Sequence, residues 1–190
     1  MIEALVNSAI VVAIGELGDK TQFLALLLAA RYRRRGAVIA GILVATCVMM
    51  TVTAVIGSAI GQALPRSFLR WGVGAAFIAI AIWTLLERDE PNSEEAPTST
   101  RGAFFASMTG FMLAELGDKS QIATLTLAAQ YQSFAPVAIG SIIGEMIAIV
   151  PAVLLGHGTG LIVPLHWIRR IAVVVFAGFG IAVLAGFGLG

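Results

Sequence analysis

The chain has 190 residues, of which 58% are hydrophobic and only 12% charged, and its formal net charge is +1. A water-soluble domain carries about 25% charged residues, so this composition, with a mean hydropathy of +0.94, excludes an ordinary soluble globule. The near-zero net charge also gives no reason to expect a nucleic-acid partner.

Read in chain order, the apolar runs predict six membrane-spanning helices near 4–30, 37–61, 68–86, 103–129, 135–156 and 168–188. Each suits a bilayer core of about 30 Å, which takes roughly 20 helical residues. The first run has no basic start and no small-residue cleavage site, so it is expected to stay in the mature chain. Arg31-Tyr32-Arg33-Arg34-Arg35-Gly36 ends it, and Leu64-Pro65-Arg66 parts the second run from the third. Glu87 to Arg101 is polar, acidic and rich in Pro, Ser and Thr, which reads as a flexible linker. Ser133 to Pro136 reads as a short turn, and Val163-Pro164-Leu165-His166 opens the last run. Cys47, the single cysteine, sits inside the second run as an ordinary small residue, so there is no disulfide framework.

Basic residues in the loops set the expected orientation. Arg31, Arg33, Arg34, Arg35, Arg88, Arg101, Arg169 and Arg170 would share one side, against Arg66 and Arg70 on the other. The first side is therefore expected to be cytoplasmic, with both termini outside. Trp71 and Trp167 flank spans and read as interface anchors, while the Arg31–Arg35 cluster enforces topology and meets anionic lipid.

The chain repeats itself. Glu16-Leu17-Gly18-Asp19-Lys20-Thr21-Gln22 returns 99 residues later as Glu115-Leu116-Gly117-Asp118-Lys119-Ser120-Gln121. The same offset, without a gap, pairs Tyr32 with Tyr131, Gly41 with Gly140, Gly57 with Gly156, Gly61 with Gly160 and Pro65 with Pro164. It continues through Arg70/Arg169 and Phe77/Phe176. The expected fold class is thus all-α integral membrane, six transmembrane helices as two inverted three-helix repeats. Residues 1–87 form the first repeat, 88–101 a cytoplasmic linker and 102–190 the second repeat. An odd number of spans per copy inverts the second copy, and such transporters bind near the midplane, where the first and fourth helices meet.

The motif places charge deep inside a span. A charged side chain there costs on the order of 3 kcal/mol, so it persists where it pairs, lines a wet cavity or works. On a continuous helix, Glu16, Asp19 and Gln22 at i, i+3 and i+6 would share one stripe, and Glu16 and Lys20 at i, i+4 could pair. Gly18 and Gly117 leave room for close backbone approach or a local break. Combining the copies collects Glu16, Asp19, Glu115 and Asp118 with the amides of Gln22 and Gln121, an all-oxygen shell that suits hard divalent cations. His157 and His166 lie near span ends, away from the motif. Lys20 and Lys119 neutralise the carboxylates or hold them in place, and deep Glu–Lys pairs can also be plain helix-to-helix glue. Glu145, inside the fifth span where the first copy has Thr46, is either a working carboxylate or a protonated interface group. Gly57/Gly61 and Gly156/Gly160 read as small-residue packing notches.

The doubled Glu-x-Gly-Asp-Lys-(Thr/Ser)-Gln motif on the first and fourth helices resembles the signature of the small cation transporters of uncharacterised protein family 16. These include MneA-like manganese exporters of bacteria and relatives in chloroplasts, yeast and the Golgi. The resemblance covers essentially the whole chain. It implies export of Mn²⁺, or of Ca²⁺, from the cytoplasm by antiport against H⁺ or another cation such as Na⁺, with the metal as substrate and no cofactor. It assigns metal binding to Glu16, Asp19, Glu115 and Asp118, with Thr21, Gln22, Ser120 and Gln121 in support. Glu145 stands outside that signature. The expected location is a bacterial inner membrane, and the expected mechanism is alternating access with protons competing for the same carboxylates. Two other readings are an intramembrane hydrolase of a lipid phosphate, which hydrolysis by the purified protein would reveal, and a passive cation channel, which would lack saturable, pH-coupled flux.

Overall fold

The structure is a computed structural model that describes residues 1–32, 34–86, 102–155 and 165–186. The side chains of Lys20, Phe23, Arg66, Trp83, Thr84, Leu155, 165–169, 171 and 172 lie outside the description. So do the expected linker at 88–101, Arg33, His157, Pro164 and the glycines Gly156 and Gly160.

Among the described residues every regular element is a helix: α1 Ile2–Glu16, α2 Lys20–Tyr32, α3 Arg35–Ala63, α4 Arg66–Leu86, α5 Ala103–Glu115, α6 Lys119–Tyr131, α7 Ala135–Leu155 and α8 Leu165–Leu184. The stops have local causes. Leu64 is extended, at φ −102° and ψ 144°, because the residue before a proline is driven out of the helical region. Pro65 then opens α4, its carbonyl accepting the Phe68 and Leu69 amides. α6 ends on Gln132 in the left-handed region, whose side-chain amide donates to the Gly61 carbonyl at 2.8 Å. The expected first and fourth spans are each two helices, α1–α2 and α5–α6.

The 99-residue offset relates α1 to α5, α2 to α6, α3 to α7 and α4 to α8, and the packing respects it. α1 lies on α7 as α5 lies on α3; α3 touches α6 as α7 touches α2; α2 meets α5 as α6 meets α1. α3–α7 and α4–α8 are contacts between equivalent elements. Side chains repeat the pattern. Phe77 stacks on its own counterpart Phe176, with ring centroids 6.3 Å apart. A Cβ on Gly41 would overlap the Phe104 carbonyl, and a Cβ on Gly140 would overlap that of Leu5, the equivalent of Phe104. Glycine at these two positions is what lets the opening half-helix of one copy ride on the long helix of the other. Gly57 and Gly61 admit the Leu125 and Ala129 carbonyls of α6 in the same way.

The burial pattern is inverted relative to a soluble protein. Glu16, Glu115 and Glu145 are at most 1% exposed, whereas Val52 is 53% and Leu113 71% exposed. Carboxylates inside and aliphatic side chains outside describe a surface that meets hydrocarbon. α3 and α7, the two central helices, are each long and apolar enough to cross a membrane.

Candidate metal centre

Each motif copy breaks its helix in the same way. Leu17 is extended (φ −64°, ψ 118°), Gly18 follows at φ 77°, and the Asp19 amide donates to the Glu16 carbonyl at 3.2 Å. Leu116, Gly117 at φ 76° and the Asp118 amide on the Glu115 carbonyl at 3.0 Å repeat these features. Together they make a type II turn, whose third residue needs positive φ and so favours glycine. Gln22 and Gln121 clasp the breaks. Their side-chain oxygens accept the Gly18 and Gly117 amides at 2.9 and 3.2 Å, and Gln22 also donates to the Ala148 carbonyl at 2.9 Å.

The breaks change how the motif works. Glu16 and Asp19 do not share the stripe of one continuous helix, because the turn interrupts it between them. They meet across the turn instead. Carboxylate oxygens of Glu16, Asp19 and Asp118 lie within 4.8 Å of one another, and all three residues are buried. Asp118 is the N-cap residue just before α6, so the trio draws on both copies. Lys119 crosses over too, its ammonium 3.0 Å from Asp19 Oδ1. The expected in-helix pairing of Glu16 with Lys20 falls on a side chain outside the description.

The remaining groups are placed unequally. Thr21 donates to Glu16 Oε2 at 2.6 Å, while its counterpart Ser120 has no partner at Oγ. Glu115 is not one of the clustered trio; its carboxyl faces that of Glu145. Thr46 donates to Glu145 Oε1 at 2.8 Å, again a contact between equivalent positions of the two copies. The offset that aligns the motifs makes 46 and 145 equivalent positions, and the packing of α3 on α7 is what brings them into contact.

Several oxygens here are buried without a hydrogen-bond donor: Glu16 Oε1, Asp19 Oδ2, both of Glu115 and Glu145 Oε2. Among the described side chains the five buried carboxylates and Lys119 sum formally to −4. Carboxylate oxygens hidden from water need cations or protons, and a set made only of oxygen suits a hard divalent ion over zinc or copper.

Among the described residues, a helical, inside-out fold whose broken helices converge carboxylates in its interior has the character of a membrane transporter. Comparison with known proteins names the family. Residues 4–92 and 103–187 match the family described as divalent cation/proton antiporter GDT1, and the chain belongs to it. A relative from Vibrio cholerae serotype O1, named "Putative manganese exporter", is 40% identical over 177 residues, covering 93% of this chain and 88% of its own. "GDT1-like protein sll0615" of Synechocystis is 31% identical over 82% of this chain and 84% of its own. "GDT1-like protein 5" of Arabidopsis thaliana is 28% identical, again over 82% and 84%. No solved structure matches. The two matched stretches leave out 93–102, most of the expected linker.

Proposed function

We propose that this protein exports Mn²⁺ from the cytoplasm in exchange for protons, with Ca²⁺ as the alternative cargo. The observation that carries the reading is the trio Glu16, Asp19 and Asp118, three buried carboxylates drawn from both motif copies within 4.8 Å. The V. cholerae relative named "Putative manganese exporter", 40% identical to this chain, supports manganese as the cargo.

In this reading α1–α2, α3, α4, α5–α6, α7 and α8 are six spans, and residues 1–87 and 102–190 form two repeats of opposite orientation. The linker lies in the cytoplasm, both termini lie outside, and the bacterial inner membrane houses the protein. Glu16, Asp19 and Asp118 ligate the cargo. Thr21 orients Glu16, Lys119 holds Asp19 and offsets charge, and Gln22 and Gln121 keep the breaks open.

The half-helices explain why the site can exist. A continuous helix satisfies its own backbone, whereas a break frees polar groups that are tolerated only where they line an interior site. Rocking one repeat against the other would open the site to each side in turn. Carboxylates must be deprotonated to bind metal, so protons arriving from outside displace the ion and travel back on the same groups.

The test is metal uptake into inside-out proteoliposomes that hold a fluorescent indicator, with an imposed proton gradient. Mn²⁺, Ca²⁺, Mg²⁺ and Zn²⁺ are compared for wild type and Asp118→Asn. Saturable uptake of Mn²⁺ that follows the gradient and is lost in the variant is expected. Equal flux in the variant, or flux that ignores the gradient, would overturn the assignment.

A further inference from the structure

Glu145 is the one buried carboxylate among the described residues that the doubled motif does not supply. Around it the two halves of the cage differ. Glu16 is tied down by Thr21 and joins the trio. Glu115 has no such tie, and no donor reaches either of its oxygens although the residue is fully buried. It stands against Glu145, close enough that the two would share a hydrogen bond if one carried a proton. Thr46 fixes Glu145 through Oε1 and leaves Oε2 without a partner. Three carboxylate oxygens therefore stand together, buried and unmatched.

We propose that Glu115 and Glu145 form a second divalent-cation subsite beside the trio, so that the protein holds two cargo ions; this rests on the transport reading above. The spacing suits the chemistry. Octahedral ligands at 2.0–2.1 Å from a small divalent ion stand about 3 Å from one another, the reach of a shared hydrogen bond. One or two carboxylates plus waters are a common shell for such an ion.

Charge gives the second subsite a purpose. The five buried carboxylates and Lys119 sum to −4. One divalent ion leaves −2, so the cage still attracts another. A second ion brings the sum to zero and repels the first as a like charge, so its arrival loosens the first. Conduction and transport both need binding firm enough to load and weak enough to release, and a second occupied site supplies the push. A shell of four equivalent carboxylates would give Glu145 no part; the observed asymmetry does.

The test is an Mn²⁺ titration of the detergent-purified full chain, following the electron paramagnetic resonance signal of free Mn²⁺. Two ions per chain in two affinity classes are expected. Glu145→Gln should bind one, with the tight class unchanged within about twofold, and Asp118→Asn should lose the tight class. Thr46→Val keeps both carboxylates and should weaken only the weaker class by about tenfold, the worth of a hydrogen bond to a charged group. One ion per chain in wild type would overturn the proposal. So would two ions in Glu145→Gln, or loss of the tight ion in a Glu145→Gln protein that still elutes as a single species. No binding at all by wild type would instead sink the transport reading beneath it.

Discussion

Gly117→Ala isolates the contribution of the helix break. A Cβ at Gly117 would meet nothing within 4 Å, so the substitution adds no clash. What it adds is backbone strain, because Gly117 sits at φ 76°. Holding an L-residue in the left-handed region costs about 1–2 kcal/mol. That strain favours an unbroken helix through 115–119, which would carry Asp118 away from Glu16 and Asp19. If metal binding needs the break, the apparent Mn²⁺ affinity should fall about 5- to 30-fold, the factor corresponding to 1–2 kcal/mol. Asparagine tolerates this conformation better than alanine, so Gly117→Asn should recover part of the loss. The assay is Mn²⁺ binding in detergent at fixed pH, beside thermal unfolding of the same samples. Wild-type affinity and stability in Gly117→Ala would refute the claim that the break builds the site.

Four further outcomes follow from the same geometry. Lys119→Met leaves Asp19 as a buried carboxylate without its ion-pair partner, which should cost about 3–5 kcal/mol in thermal unfolding; adding Asp19→Asn should return part of it. Gly140→Ala drives a methyl into the Leu5 carbonyl and should cost about 1–3 kcal/mol. Gly36→Ala, in the first turn of α3 with open space around it, should be neutral or slightly stabilising in the same assay. Metal binding should release protons and weaken as pH falls, because bound carboxylates must be deprotonated; affinity that does not change with pH would contradict proton competition.

Much of the fold was legible because a 99-residue repeat and apolar run lengths are strong signals. The expected spans at 37–61 and 68–86 correspond to α3 and α4 within a few residues. The first and fourth spans read as single apolar runs, since leucine and alanine run through both sides of the motif, and Gly18 and Gly117 leave a local break as one option beside close backbone approach. The turn's own signal was local: a glycine third in Glu-Leu-Gly-Asp, at both 18 and 117. Losing the continuous helix also changed the partners. Gln22, expected on the carboxylate stripe, spends its side-chain oxygen on the Gly18 amide. Lys119 pairs with Asp19 across the copies, a contact no spacing along one helix encodes. Glu115 and Glu145 could be named from the sequence, but their meeting depends on how α5 packs against α3 and α3 against α7.

The most direct test of the central claim, that the two motif copies together hold the cargo, is anomalous diffraction at the manganese edge from crystals soaked in Mn²⁺. The account predicts a strong peak between Glu16, Asp19 and Asp118, with carboxylate oxygens about 2.0–2.6 Å away. A peak at the histidines near the span ends, or none inside the helices at saturating Mn²⁺, would contradict it.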